Sequence, residues 1–309
     1  MSDKMTEHIF KEEPWVRVLL ETSWQNDLVS VDLGSMRRVG NFHNFWFYVR
    51  GLWKRRQFII AQSRAKAHVS VKGTFLGRLW LILEPFISSA IYYFIFALLL
   101  GFDRGMDNFV GYLVIGVTFF NYLNQQLGAA GSIIPAGMNL IRAFPFPRAA
   151  LVFAFSVRNV IDFFPTAIAT FLFVLVFPPH TFPTWTWLLA VPVFFIAVIF
   201  GTGLSFFASA LTVLLPDLKF IWPVLTRFWF YGSGVFWSID MFADKPQYQA
   251  IMTANPGWTY LEMMRETILY GQVPGVNLWL YLGTWAVFTF LTGFLFFWRC
   301  EGYLGKKND

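Results

Sequence analysis

Arg158 and Asp162 stand four residues apart inside a long apolar stretch, where charged side chains are costly and are functional candidates by default. At that spacing they share one helical face and can neutralise each other. They are therefore expected to form a buried ion pair between helices rather than a titrating proton relay. Glu84 is the better lone carboxylate. It falls one turn into an apolar run, directly before Pro85, near the expected membrane surface, and a helix-end or partner-contact role suits it better than proton transfer. Arg227 lies inside another apolar run and can reach partway to the headgroups. No Gly-x-x-x-x-Gly-Lys-Ser/Thr phosphate loop occurs, and the nearest string, Gly302-Tyr303-Leu304-Gly305-Lys306, has the wrong spacing. His-Glu-x-x-His and Gly-x-Ser-x-Gly runs are absent too. The single cysteine, Cys300, excludes an internal disulfide and a thiolate cluster. His8, His43, His68 and His180 have no ligand spacing. No catalytic residue, metal or cofactor is thus expected in this chain.

Aromatic residues make up 20% of the chain. Most are expected to contact lipid or pack between helices, since Trp and Tyr gather at membrane interfaces. Those in the middle of apolar runs have a sharper option. Tyr92 and Tyr93, then Trp229, Tyr231 and Trp237, with Phe119, Phe120, Tyr122, Phe230 and Phe236 nearby in sequence, could line a sugar path. Aromatic faces match the C–H faces of pyranose rings, and Tyr and Trp tips add hydrogen bonds.

The elements that must position these residues are helices in lipid. Hydrophobic residues form 56% of the 309 and charged ones only 14%, against about 25% in a soluble domain. A spanning helix needs roughly 20 mostly apolar residues. Six runs qualify, at about 79–101, 109–130, 149–177, 185–215, 220–238 and 277–298. The expected fold is an all-α membrane protein of six transmembrane helices, spanning residues 79–299. Lysine and arginine orient it. Residues 35–78 carry ten basic residues and no acid, and the connection after the second run has Arg142 and Arg148 and no acid. The segment between the fifth and sixth runs has four acids against Lys245 and Arg265. This alternation puts both termini in the cytoplasm, and a seventh span would break it. Residues 1–34 hold seven acids and three bases, unlike a secretory signal. Residues 1–40 are expected to be an acidic mobile arm, with insertion driven by an internal helix. Residues 300–309 form a cytoplasmic tail.

Two further segments have structure of their own. In residues 41–60, Phe42, Phe45, Trp46, Val49, Leu52 and Trp53 recur at helical spacing beside Arg50, Lys54, Arg55 and Arg56. An aromatic face with a basic edge predicts a helix lying in the membrane interface, with 41–78 forming this helix and the lead-in to the first span. The long link around 239–270 contains an Asn255-Pro256-Gly257 turn signal and then Trp258, Leu261, Met264 and Ile268 in helical rhythm. It predicts short helices that dip into the outer leaflet without crossing.

Four stretches resemble the ABC-2 type permeases that export cell-surface polysaccharides such as O-antigen, teichoic acid and galactan. Residues 71–86, Val-Lys-Gly-Thr-Phe-Leu-Gly-Arg-Leu-Trp-Leu-Ile-Leu-Glu-Pro-Phe, are similar to that family's entry to its first helix. Residues 139–148, Asn-Leu-Ile-Arg-Ala-Phe-Pro-Phe-Pro-Arg, resemble its loop after the second helix. Residues 213–223 resemble its loop after the fourth, with Pro216 where arginine is common. Residues 255–271 resemble its outer segment. The resemblance implies the type V exporter fold and a homodimer bound to two copies of a separate ABC ATPase, which would hold the ATP and Mg. It implies a coupling helix at about 132–143, with Asn139, Leu140, Ile141, Arg142 and Phe144 contacting the ATPase. It also implies gate helices at about 239–270 and a channel between helices one and five of the dimer. The expected partners are a lipid-linked polysaccharide and membrane lipids, with no nucleic acid, in a bacterial cytoplasmic membrane. An exporter of a lipid or drug is the alternative within the class. An intramembrane transferase would need an acid–base cluster that the sequence lacks, and a receptor or scaffold would show no turnover.

Overall fold

The computed structural model describes residues 45–67, 75–77, 79–101, 108–143, 146–177 and 184–304. The expected arm at 1–40, Phe42, Phe144 and the four histidines lie outside the described residues. Among those described, every regular element is a helix. Two helices, α1 (Phe45–Lys54) and α2 (Arg56–Lys66), precede α3 (Leu79–Tyr93), which ends in a wider π-type turn over Phe94–Leu99. Then follow α4 (Phe109–Gly128), a 3-10 turn at Ala130–Ser132, and the short α5 (Ile133–Ala136) and α6 (Met138–Ala143). Helix α7 (Ala149–Val176) is followed by a 3-10 turn at Trp185–Leu189 that runs into α8 (Ala190–Leu214), and then by α9 (Leu218–Gly232). A 3-10 turn at Ile239–Phe242, α10 (Pro246–Thr253) and α11 (Pro256–Ile268) lead to α12 (Val276–Leu304).

Four of these stretches are long and apolar enough to cross a membrane: Leu79–Leu99, Ala149–Val176, Trp185–Leu214 and Val276–Glu301. The other two expected spans coincide with helices of a different character. Helix α4 has 20 residues, but its last two turns carry Asn121, Asn124, Gln125 and Gln126. Helix α9 has 15 residues, about 22 Å at 1.5 Å per residue, and stops at Gly232 rather than near residue 238. It stops because Gly234 takes a left-handed φ of +69°, a conformation that favours glycine and ends a right-handed helix.

Helices in lipid associate through close packing, small residues and hydrogen bonds, because lipid is as apolar as the side chains. Helices α8 and α12 show the first two. A Cβ added to Gly203 would meet the Phe290 nitrogen at 2.5 Å, and one added to Gly293 would collide with the Gly203 carbonyl oxygen. The two backbones touch there. Hydrogen bonds join α4, α7 and α8. Gln126 is fully buried, and its side-chain nitrogen donates to the Tyr122 hydroxyl at 2.7 Å. Its Oε1 accepts from Ser156 at 3.3 Å and lies 2.9 Å from the Ser205 hydroxyl. Two apolar clusters flank this node. One gathers Phe109–Leu123 side chains with Phe236, Tyr260 and Met264, and the other gathers Tyr48, Ile133, Ile134, Phe206 and Phe297. The chain thus has a packed end at each extremity of α4.

Candidate functional sites at the two ends of the bundle

At the end where α4 finishes, the chain turns through an elbow. Gly137 separates α5 from α6, and a Cβ there would press on a Leu151 side-chain methyl. Ile133 and Ile134 are buried, while α6 has no buried residue. The expected coupling residues divide by face. Asn139 and Arg142 are exposed, whereas Leu140 and Ile141 are half-buried against the second apolar cluster. The elbow is braced from behind by the Ser209 hydroxyl, which donates to the Ala130 carbonyl at 2.9 Å. Gly131 lets the Lys219 backbone approach, since a Cβ would stand 3.1 Å from the Lys219 Cα. The chain then enters α7 at a junction that sequence reading missed. The Arg148 backbone N–H donates to a Glu301 carboxylate oxygen at 2.9 Å, and the Ala149 N–H donates to the Tyr48 hydroxyl at 3.2 Å. Partners more than a hundred residues apart leave no local signal.

The expected interface helix splits its aromatics between two faces. Phe45 sits edge-on to Trp298 at 5.4 Å, and Tyr48 and Leu52 are buried. Trp46 and Trp53 are 77% and 70% exposed. The physical reason is the helical angle: one residue beyond 45 or 52 is about 100° further round. The stripe 45–48–52 therefore packs on the bundle, and Trp46 and Trp53 point away from it.

Arg158 and Asp162 lie 3.2 Å apart on α7. They line a cavity of about 520 Å³ shared with Lys66, Glu84, Gln125 and Asn159.

The mid-run aromatics divide between α3 and the end of α9. Tyr92 meets Phe236 at 4.8 Å and Phe230 at 5.7 Å, and Phe96 stacks on Phe236 at 4.3 Å. Tyr93 lies beside Phe109 at 6.3 Å. Tyr231 is 45% exposed and packs on Phe236 at 5.5 Å. Trp229 is engaged: its indole N–H donates to the Asn255 Oδ1 at 2.8 Å. Trp237 donates to the Tyr231 carbonyl at 3.1 Å. The rings of helices one and five thus meet around Phe236, and both indole N–H groups are already spent on the protein.

What holds this second end is a set of polar anchors. Asn255 caps α11 by accepting from Gly257 N–H at 2.9 Å, and its amide donates to the Gly232 carbonyl at 3.0 Å. The Tyr112 hydroxyl lies 3.0 Å from the Gly234 carbonyl and 2.7 Å from that of Trp237. Arg265 is fully buried. It donates to the Gly234 carbonyl at 2.9 Å, lies 3.4 Å over the Tyr112 ring and is 3.8 Å from Glu262. Burial raises the Glu262 carboxyl above its ordinary range, and the nearby Arg265 pulls it back down. Burial, helped by Glu262, pushes Glu266 up to about 7. Sequence reading counted Arg265 as a loop charge. Its place among Trp258, Leu261, Met264 and Ile268, four residues after Leu261 and so on the same helical face, was the local signal that it faces inward.

Neither end, nor any other group of described residues, assembles three potential metal ligands. The arrangement is suited to docking and to packing against lipid or a passing chain.

The chain is similar to three curated proteins named O-antigen export system permease protein RfbA. That from Myxococcus xanthus is 24% identical over 67% of this chain and 78% of its own length. Two from Klebsiella pneumoniae are each 26% identical over 66% of this chain and 76% of their own length. The family model described as ABC-2 type transporter matches residues 57–269, which include the elbow and the Arg265 anchor but not Tyr48 or Glu301. With more than half its length inside that match and its apolar spans in place, the chain is an integral membrane transporter subunit belonging to the ABC-2 type transporter family.

Proposed function

We propose that the chain is the membrane subunit of an ATP-driven exporter of a lipid-linked cell-surface polysaccharide. It works as a homodimer with two copies of a separate ABC ATPase, in a bacterial cytoplasmic membrane, with six spans and both termini in the cytoplasm. Three features support this. The relatives' name carries the choice of cargo. The run of ten basic residues in 35–78, together with Arg142 and Arg148, supports a cytoplasmic position for the elbow. The exposure of Asn139 and Arg142 on a six-residue helix that has no buried residue suits a surface that a motor subunit covers. That last observation carries the coupling assignment. Helix α6 would transmit the ATPase stroke, α3 and α9 would line the passage with Tyr92, Tyr93 and Tyr231, and the 239–270 segment would close its far side.

The test is affinity purification of the tagged chain from native membranes. An ABC ATPase should copurify, and Arg142→Glu should lose it while the permease itself stays folded. Recovery of no ATPase with the unaltered chain overturns the exporter reading. A strain lacking the chain should hold lipid-linked glycan on the cytoplasmic side, and unchanged surface glycan overturns the polysaccharide cargo.

A further inference from the structure

Glu84 is the sixth residue of α3, exposed, with no partner among the described residues. It forms part of the rim of the 520 Å³ cavity between α2, α3, the end of α4, α5 and α7. Clefts of roughly 300–1,000 Å³ are the usual size of small-ligand sites. The charges on this cavity are of both signs. Lys66 and Arg158 are cationic, and Glu84 and Asp162 are carboxylates. Asp162 takes the Arg158 Nε at 3.2 Å. The terminal nitrogens of Arg158 and the Lys66 ammonium have no protein partner among the described residues. Gln125 and Asn159 add amides to the wall.

This pattern selects a ligand. A bare anion would face two carboxylates, and a bare cation would face two cations. A neutral sugar would leave the Lys66 ammonium and the Glu84 carboxylate without an ionic partner, at a cost that rises as water is excluded. A molecule carrying a phosphate and an ammonium together satisfies both signs. Guanidinium and lysine ammonium groups recognise phosphate oxygens, and Glu84 would take the ammonium.

The surroundings say where that molecule comes from. Glu84, Ile87 and Ile91 are spaced i, i+3, i+7 on one face of α3, and Ile87 and Ile91 are 46% and 54% exposed. The cavity, whose wall mixes these charged groups with apolar side chains such as Leu81, Ile133 and Phe155, therefore lies beside an apolar helix face. The Thr166 hydroxyl donates to the Leu81 carbonyl at 2.7 Å and joins α7 to α3. On the other side the cavity touches Ser132 and Ala136 of the elbow.

We propose that this cavity binds the headgroup of a zwitterionic aminophospholipid, with its acyl chains lying along Ile87 and Ile91 of α3. Phosphatidylethanolamine fits this chemistry. The site is distinct from the passage for the exported cargo, and it wedges a lipid headgroup between the elbow and the first apolar helix. It does not depend on what the cargo is.

Native mass spectrometry of the full chain released from nanodiscs tests this, using equal phosphatidylethanolamine and phosphatidylglycerol with identical acyl chains. Phosphatidylethanolamine should be retained about tenfold over phosphatidylglycerol, the scale of one charge-assisted contact. Glu84→Gln should erase that preference while keeping phosphate binding, and Lys66→Gln should weaken retention of both lipids. Both positions are at least partly exposed, and an unchanged unfolding temperature shows that the variants fold. Equal retention of the two lipids by the unaltered chain overturns the proposal, as does a preference that survives both substitutions. If soluble phosphoethanolamine protects the detergent-solubilised chain while neither lipid is preferred, the lipid source is overturned.

Discussion

Helix α6 at one end of α4 and helix α11 at the other both link apolar helices, and they are packed in opposite ways. None of the six residues of α6 is buried, whereas ten of the thirteen in α11 are. Helix α6 rests on the bundle through Leu140 and Ile141 and presents Asn139 and Arg142 outward. Helix α11 carries its arginine inside, over Tyr112. The difference is one of what completes each end. Asn255, Tyr112 and Arg265 anchor α11 within the chain, although the Trp258 indole and the Tyr260 hydroxyl are buried there without a hydrogen-bond partner. Asn139 and Arg142 on the outer face of α6 stay exposed among the described residues, which suits the partner surface proposed above.

Substitutions should separate the two ends by their effect on stability. The largest effect is expected at Arg265. Replacing it with methionine leaves the Glu262 carboxylate without its partner and the Gly234 carbonyl with the Tyr112 hydroxyl as its remaining donor, and breaking a buried charged pair costs about 3 kcal/mol or more. Thermal unfolding of the purified chain should show this, and an unfolding temperature equal to that of the unaltered chain would break the contrast. Next comes Gly234→Ala. An L-residue at a φ of +69° costs about 1–2 kcal/mol, and the new Cβ would stand 2.8 Å from the Trp258 ring. Its counterpart Gly137→Ala meets only the end of a Leu151 side chain, which can turn aside, so about 1 kcal/mol or less is expected. If the two glycine variants melt alike, the rigidity assigned to the α11 end is wrong.

A smaller effect is expected from pH. Burial raises Glu266 to about 7 in the folded chain, above the ordinary carboxylate range. Between that range and pH 7 the folded chain binds more protons than the unfolded one, so stability falls as pH rises through this window. The protection of the α11 amides, after correction for the base-catalysed intrinsic exchange rate, should fall from pH 5 to pH 8, and Glu266→Gln should abolish that fall. The smallest effect on stability belongs to Arg142→Glu, within about 0.5 kcal/mol as for an exposed site. A clear loss of stability there would mean that α6 is not an open surface.

Periodicity and charge made the helical scaffold legible, because an apolar run of twenty residues in a charge-poor chain has few other fates. Helices stand near all six expected positions, and length and composition qualify four of them as spans. The end of α9 was not legible. It is set by Gly234 together with hydrogen bonds from Tyr112 and Arg265, which come from distant parts of the chain. Counting bases per loop treats each arginine as facing water, so it reads Arg142 and Arg265 alike, and only packing tells them apart. The aromatic face of α1 failed for a related reason. A list of apolar residues at roughly helical spacing does not reveal which stripe is covered, and Tyr48 and Leu52 are buried beside Phe45 while Trp46 and Trp53 stay largely exposed.

The backbone contact between Gly203 and Gly293 sets how α12 can move. Two helices pressed together through glycine cannot slide past each other without lifting apart. Helices α8 and α12 also pack along their length, so they form one unit rather than two rods hinged at a point. Glu301, bonded to the Arg148 backbone where the elbow rejoins the bundle, lies eight residues beyond Gly293 and ties that unit to the elbow.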